Sequence, residues 1–311
     1  MKIIAGSASK NLGESVALGL GVDVSNVNIT KYSDGETNVE VINDLSGHEV
    51  FIIQAISPPT NDNLVEALLI ADAVKRVGAK RVILVVPYYG YSRQDRVIKN
   101  GKMHSALSAK LVASLIKTAG VGSVIAVDLH SSQIEGFFDI PISNLSAFEV
   151  FATRSVKLEN TVIVAPDVGA LSRARNFAKV LLNQYRVNLT NEIVVIDKYR
   201  EKAGTSEVMQ VIGEVHGKDC VIIDDIVDSA GTLCNAAFAL QEHGAKSIIA
   251  YITHGVLSGN ALDKISSSAL DKLVITDTIS HNNNLHDKIE IMPITDILVK
   301  AINSYGGKIE T

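Results

Sequence analysis

Asp224, Asp225 and Asp228 stand at the end of a β-branched run, "VIIDDIVD", directly before Ser229, Ala230, Gly231 and Thr232. Small residues between a strand and a helix expose backbone N–H groups that can wrap a phosphate, and the dipole of the following helix adds to the attraction. Three carboxylates in the same turn would repel that phosphate. A ligand with both a phosphate and neighbouring hydroxyls resolves the conflict. The amides of 229–232 then take the phosphate, while Asp224 and Asp225 accept from sugar hydroxyls or hold a hydrated divalent cation. Ribose 5-phosphate meets both demands. The loop has no Gly-Lys-Ser/Thr, so it is not a Walker motif. The plain alternative is an acidic turn that only caps its helix.

Other clusters carry chemistry of the same kind. "VDLHSSQIEGFFDIP" (127–141) puts Asp128 and His130 at a strand's carboxyl edge, where period-two alternation would point both side chains the same way. "APDVGA" (165–170) places Asp167 similarly. "YYGYSRQDR" (88–96) ends a strand in Arg93, Gln94, Asp95 and Arg96, a set suited to phosphate and base contacts. "KYSDGE" (31–36) joins the aromatic Tyr32 to Asp34, Gly35 and Glu36. Its acids can accept from an adenine amino group, and read alone it is a type I or II turn. Lys198 and Arg200 lie in the polar, Gly-containing "DKYREKAGTSE". By themselves they read as exposed cations of a solvated loop; over a phosphate they would suit a closing lid.

The elements that must position these residues are an alternation of strands and helices. Apolar, β-branched runs predict strands at 2–5, 50–54, 81–87, 123–128, 161–165, 192–197, 219–224, 247–253 and 273–276. Helical patterns lie at 61–77, 105–119, 171–184 and 232–243. Continuous apolar strands separated by helices indicate α/β with mostly parallel sheets. The chain also repeats itself. "EALLIADAVKRVGAKRVILVV" and "NAAFALQEHGAKSIIAYI" are each a helix, then Gly-Ala-Lys, then a strand, and each helix follows a strand and a loop. A duplicated α/β unit accounts for that order, although glycine ending a helix before a strand is common C-cap chemistry.

Length and composition bound the answer. The chain has 311 residues, enough for two ordinary domains, with 47% hydrophobic and 20% charged residues. Its 29 basic and 34 acidic residues give a net charge of −5, and no basic run marks a nucleic-acid partner. The two cysteines, Cys220 and Cys234, form no CxxC pair and read as buried thiols of a reducing compartment. The N-terminus does not read as a signal peptide, and no apolar run approaches the roughly 20 residues needed to cross a bilayer. A cytoplasmic protein without membrane partners is expected.

These segments together resemble the ribose-phosphate pyrophosphokinase (phosphoribosyl pyrophosphate synthetase) family. "SDGE", "PTNDN", "PYYGYSRQDR", "DLHSSQIEGFFDIP", "APDVGA", "RAR", "VIDKYR", "VIIDDIVDSAGTL" and "LSGNA" carry the resemblance along nearly the whole chain. It implies two similar phosphoribosyltransferase-like domains, each a mostly parallel sheet flanked by helices. Residues 1–145 with about 294–311 would form the first, and 146–293 the second. It further implies transfer of the β,γ-diphosphoryl group of ATP to the 1-hydroxyl of ribose 5-phosphate, with Mg²⁺ as cofactor and a homo-oligomer, a hexamer of dimers, as the assembly.

Residue by residue, Tyr32, Asp34, Gly35, Glu36, Arg93 and Gln94 resemble ATP contacts, and the "SDGE" turn would serve a neighbouring subunit. Asp128, His130 and Asp167 resemble the metal positions, and Lys198 and Arg200 the catalytic loop. Arg200, Asp224, Asp225, Asp228, Ser229, Ala230, Gly231 and Thr232 resemble the ribose 5-phosphate site. The resemblance does not extend to Ser46, where many regulated members carry an Arg of an allosteric phosphate site. Nor does it extend to the C-terminal "SYGGKIET", which lacks the Ser/Phe-bearing tail of that site. Ser143, Glu135 and Tyr199 also depart from the usual pattern, and none of these changes removes a residue assigned to chemistry. The other readings are a type I phosphoribosyltransferase, which would share only the 221–232 motif, and a non-catalytic homologue, expected to have lost Lys198 and Arg200.

Overall fold

Strands such as RVILVV (81–86) and TVIVA (161–165) are apolar on both faces, so they are stable only where helices cover both sides of a sheet. The computed structural model of the chain describes residues 1–100, 103–155, 160–185, 193–199, 208–281 and 285–306. The chain divides into two compact units, Met1–Ser146 with Thr278–Ser280 and Ile294–Thr311, and Ala147–Asp277 with His281–Pro293. Among the described residues no helix is long and apolar enough to cross a membrane.

The first unit runs β1 (Lys2–Ala5), α1 (Lys10–Leu20), β2 (Val27–Lys31), β3 (Thr37–Val41), β4 (Glu49–Ile53), α2 (Thr60–Arg76) and β5 (Arg81–Val86). It continues with β6 (Lys99–Asn100), β7 (Met103–His104), α3 (Ser108–Thr118), β8 (Ser123–Val127) and β9 (Ile142–Leu145). Its sheet has the order β1-β4-β5-β8-β9, all parallel, while β2–β3 and β6–β7 are separate antiparallel hairpins. Ile52, Leu84 and Val124 of the sheet pack with Ile70, Val74, Val112 and Ile116 of α2 and α3.

The second unit begins with α4 (Phe148–Ser155), β10 (Thr161–Ala165), α5 (Leu171–Tyr185), β11 (Ile193–Tyr199), β12 (Val208–Ile212), β13 (Asp219–Val227) and α6 (Gly231–Glu242). β14 (Ser247–Gly255), α7 (Ala261–Ser267), β15 (Lys272–Thr276), β16 (Ile289–Met292) and, in the first unit, α8 (Thr295–Gly306) complete the chain. The sheet order is β12-β11-β10-β13-β14-β15-β16, and only the β11–β12 pairing is antiparallel.

The two units share one plan. In each, a strand, a helix, a hairpin, a strand, a helix, a strand, a helix and two strands follow in that order, the first unit inserting the extra hairpin β6–β7 before α3, and β10-β13-β14-β15-β16 repeats the arrangement β1-β4-β5-β8-β9. The repeat extends to single hydrogen bonds at the Gly-Ala-Lys turns. Gly78 and Gly244 take φ of +85° and +80°, which only glycine adopts at little cost. The Gly47 N–H donates to the Gly78 carbonyl (2.9 Å), as the Gly217 N–H does to that of Gly244 (2.8 Å). Lys80 and Lys246 N–H likewise donate to the His48 and Lys218 carbonyls, both at 2.8 Å.

The helix after each sheet belongs to the other unit. α4 follows β9 but packs in the second unit, where Phe148 meets Phe177 of α5 with ring centroids 5.5 Å apart. α8 follows β16 but completes the first unit, burying Ile294, Leu298 and Ile302. Tyr305 of α8 lies edge-on to Phe51 at 6.2 Å, and its hydroxyl is 3.2 Å from Ser143 Oγ. A Cβ at Gly19 of α1 would come within 2.8 Å of Val299 of α8, so glycine there lets the two helices approach closely.

Candidate active site

β13 is longer than its apolar run. The parallel ladder with β14 continues through Asp224↔Ile252 to Val227↔Gly255, so both acids are still held in the sheet when the strand reaches its carboxyl edge. Open α/β sheets bind ligands at that edge. Asp225 is 2% exposed and Asp224 is half-buried. One guanidinium nitrogen, Arg173 Nη1 of α5, lies 3.1 Å from Oδ1 of Asp224 and 3.1 Å from Oδ1 of Asp225. Burial, and then the neighbouring Asp225, push the Asp224 carboxyl above the usual carboxylate range to about 8, against the opposing pull of Arg173. An acid pair of this kind needs a cation or a hydrogen-bonding ligand, and Arg173 supplies the first.

Past the acids the chain turns sharply. Ala230 adopts the left-handed region (φ +60°) and caps α6, whose first residue is Gly231. A Cβ on Gly231 would find only Ser229 Oγ, at 3.9 Å, so the turn is open on that side. The loop is braced from the "LSGNA" segment. Ser258 N–H donates to the Asp228 carbonyl (3.1 Å), the Ser258 hydroxyl donates to the Asp228 carboxylate, and Lys264 Nζ donates to the Ser229 carbonyl (3.0 Å). Backbone amides thus stand at the head of a twelve-residue helix, with the carboxylates of Asp224 and Asp225 at the end of the preceding strand.

Asp167 sits in the turn between β10 and α5, where its Oδ1 accepts the Ala170 N–H at 2.9 Å. Lys198 is the penultimate residue of β11, with its backbone opposite Met209 of β12. The side-chain placement of Lys198 and all of Arg200 lie outside the described residues.

In the first unit, "YYGYSRQDR" leaves the carboxyl end of β5. Gly90 is required there, because a Cβ would stand 2.4 Å from the Ile56 carbonyl oxygen. The Tyr89 hydroxyl donates to the Ala109 carbonyl (3.0 Å), and burial raises its pKa far above the ordinary value. Arg93, Gln94 and Arg96 are exposed, and Gln94 Oε1 accepts the Ser108 hydroxyl (2.6 Å) at the start of α3. Asp95 ties this loop to the one after β8. Its Oδ2 accepts from Ser131 Oγ (2.7 Å) and Gln133 Nε2 (2.9 Å), and its carbonyl accepts from Gln133 Nε2 as well (3.2 Å). Three bonds thus link the segment bearing Arg93 and Gln94 to the one bearing His130.

One premise about that second loop is corrected. β8 ends at Val127, and Asp128 takes φ +38°, so strand alternation does not run through Asp128 and His130. A loop places them, anchored by the Asp128 N–H on the Leu145 carbonyl (2.8 Å) and the Leu129 N–H on Asn144 Oδ1 (3.1 Å). Both residues are half-buried. "KYSDGE" is the tip of the β2–β3 hairpin: Tyr32 N–H donates to the Glu36 carbonyl and Gly35 N–H to the Tyr32 carbonyl, both at 2.9 Å. Asp34 Oδ1 accepts the Glu36 N–H (3.1 Å), Gly35 takes φ +95°, and residues 31–36 are exposed.

Arg173, quoted in "RAR" without a role, and Lys264, outside every quoted segment, were not assigned to the site from the sequence. Arg173 is 51 residues from Asp224 and Lys264 is 35 from Ser229, and no local spacing connects them. Among the described residues no group of three or more His, Cys, Asp or Glu side chains is arranged to hold a metal ion.

Comparisons with known proteins agree with one another. Residues 1–120 match the family model described as the N-terminal domain of ribose phosphate pyrophosphokinase, and residues 184–306 match the phosphoribosyl synthetase-associated domain. The chain is 47% identical to a ribose-phosphate pyrophosphokinase of Brucella melitensis biotype 1, with 97% of this chain and 96% of the relative covered. It is 43% identical to the protein of that name in Thermosipho africanus, covering 97% of this chain and 93% of the relative. Among solved structures it is similar to the phosphoribosylpyrophosphate synthetase from Mycobacterium smegmatis, at TM-score 0.88, 31% identity and 98% of each chain.

Proposed function

The chain belongs to the ribose-phosphate pyrophosphokinase family, and from that premise we propose how its own residues divide the reaction. The enzyme transfers the β,γ-diphosphoryl group of ATP to the 1-hydroxyl of ribose 5-phosphate, giving 5-phosphoribosyl 1-pyrophosphate and AMP. The sugar's 1-oxygen forms the new bond to the β-phosphorus, the bridge to the α-phosphate breaks, AMP leaves with that oxygen, and the hydroxyl proton is released. Transfer of this kind asks mainly for positioning and for neutralisation of spreading charge.

The observation that carries the assignment is the juxtaposition in the second unit of a carboxylate pair, Asp224 and Asp225, with the 228–232 turn that opens α6. The turn's amides bind the 5-phosphate. Asp224 and Asp225 accept from the 2- and 3-hydroxyls, and Arg173 orients the pair and offsets part of the repulsion between them. Lys198 and Arg200 bring positive charge to the diphosphoryl group, while Arg93 and Gln94 bind the nucleotide. The assay is AMP release from ATP in the presence and absence of ribose 5-phosphate. We expect AMP and 5-phosphoribosyl 1-pyrophosphate in equal amounts, and AMP formation only with the sugar. No AMP formation would return the chain to the phosphoribosyltransferase or non-catalytic reading.

We assign Mg²⁺ as the cofactor. Mg²⁺ keeps several waters and takes one or two carboxylates plus substrate phosphates, so a chain without a multi-ligand cage among its described residues fits an ion carried chiefly by the nucleotide. In the first unit Asp128 and His130, and separately in the second unit Asp167, are groups that could hold Mg²⁺, which would supply charge neutralisation on the phosphate oxygens. The "SDGE" tip, exposed from Lys31 to Glu36, suits a nucleotide contact offered to another copy of the chain, which supports a homo-oligomer. Cys220 and Cys234 are buried and unpaired, and burial pushes the Cys220 thiol up to about 12, which accords with a reducing, cytoplasmic setting.

Asp95 orders the nucleotide side. Replacing it with Ala removes the acceptor for Ser131 and Gln133 and releases the loop of Arg93 and Gln94 from that of His130. We expect the KM for ATP to rise by about tenfold or more, from two lost hydrogen bonds of about 1 kcal/mol each, with the KM for ribose 5-phosphate little changed. Equal rises in both constants would show that Asp95 serves the fold at large.

A further inference from the structure

The phosphate turn has an electrostatic deficit. Asp224, Asp225 and Asp228 surround it, and residues 224–232 include no cation. The Arg173 guanidinium is placed on Asp224 and Asp225. The dianion of a phosphate monoester would meet amides and a helix dipole there, but also the nearby Asp228 carboxylate.

Lys264 lies close enough to correct this. It is half-buried on α7, a helix fixed to the second unit by the buried Ala261 and Ile265. Its Nζ is 3.0 Å from the Ser229 carbonyl oxygen, one residue before the left-handed Ala230 and two before the first residue of α6. An ammonium has three donors and this contact uses one. Just upstream of α7, Ser258 holds Asp228 through both its carbonyl and its carboxylate. The segment 258–264 thus engages the nearest acid with a hydroxyl and delivers a cation to the same turn.

We propose that Lys264 is a phosphate-binding residue of the ribose 5-phosphate subsite, the fixed positive charge that the 228–232 turn itself lacks; this rests on the reading of that turn given above. The chemical class recognised is a sugar phosphate monoester in its dianionic form. Lys264 sets affinity for the phosphorylated end and does not touch the reacting 1-oxygen.

Lys264→Met, which keeps the stem's length and removes the charge, and Lys264→Arg test this by steady-state kinetics and calorimetric titration with ribose 5-phosphate. Lys264→Met is expected to raise the KM and Kd for ribose 5-phosphate by about 10- to 100-fold, with the loss falling on that constant and not on kcat or the KM for ATP. Lys264→Arg should recover most of the affinity. The wild-type Kd should improve as pH rises through the second phosphate ionisation near 6, and Lys264→Met should flatten that dependence. An unchanged Kd in Lys264→Met, or equal rises in the constants for both substrates, overturns the proposal and leaves Lys264 as a brace of the Ser229 carbonyl. Failure of the wild-type protein to bind ribose 5-phosphate would instead sink the reading of the turn itself. If Lys264→Met does not fold, Lys264→Gln carries the same comparison.

Discussion

Lys198→Ala lowers kcat for AMP formation by about 10³-fold or more while the KM for ATP shifts by no more than a few-fold. The expectation follows from the reaction: charge spreads over the diphosphoryl oxygens only as the bonds exchange, so a cation that meets them contributes to the transition state more than to ground-state binding. A single supplied cation in phosphoryl transfer is worth about 10³ to 10⁵ in rate. Lys198 lies on β11 one residue before the strand's end, where its backbone pairs with Met209 of β12 beyond the last β10 partner, Val195. The measurement is single-turnover AMP production at saturating ATP and ribose 5-phosphate. A rate within tenfold of wild type would remove Lys198 from the chemistry, and a proportionate rise in both KM values would make it a binding residue.

Asp224→Asn weakens ribose 5-phosphate binding by about 10- to 100-fold and, in the ligand-free protein, raises the melting temperature at pH 8. Asparagine keeps one acceptor and replaces the other with a donor, so two sugar hydroxyls can no longer both donate to it, and hydrogen bonds to charged groups are worth about 1.5 to 3 kcal/mol. The stability effect has the opposite sign. The folded-state carboxyl titrates above its ordinary range, so the folded protein holds that proton more tightly than the unfolded chain does. Asp224 therefore weighs increasingly against the fold as pH rises from the ordinary carboxylate range to about 8, and most above it. The melting-temperature gain of Asp224→Asn should be small at pH 4 and largest at pH 8, in metal-free buffer. A variant less stable than wild type at pH 8 would mean that Arg173 more than offsets the repulsion. A site held in a costly charge state until its ligand arrives is a common conflict between stability and function.

Much of the candidate acceptor site was legible because its chemistry is local. Asp224 to Thr232 are contiguous, and hydrophobic runs located the strand before them and the helix after them. The β2–β3 hairpin was not, since "VNITK" and "TNVEV" alternate with polar residues and neither has a buried side chain. A search for continuous apolar runs finds interior parallel strands and passes over such ribbons. α1 was missed for a different reason. Its pattern is interrupted by Gly13 and Gly19, which weaken a helix by about 1 kcal/mol each. Both are required by neighbours outside the helix: a Cβ at Gly13 would stand 2.5 Å from Ala5 Cβ, and one at Gly19 would meet Val299. Arg173, Asp95 and Lys264 act across separations of 51, 38 and 35 residues, and only the folded sheets bring their partners within reach.

The exchange of terminal helices sets an order of events during synthesis. The strands of the first sheet are complete once residue 145 has been made, yet the helix that buries Leu298 and Ile302 against that unit comes from its last described segment. At about 5 to 20 residues per second, that sheet waits roughly 8 to 30 s on the ribosome for its missing layer. A chain interrupted anywhere before α8 cannot finish its first half, however correct its second, so prematurely ended products should be left open to proteolysis. Quality control is thereby written into the connectivity: only a polypeptide translated through α8 carries the helices of both units.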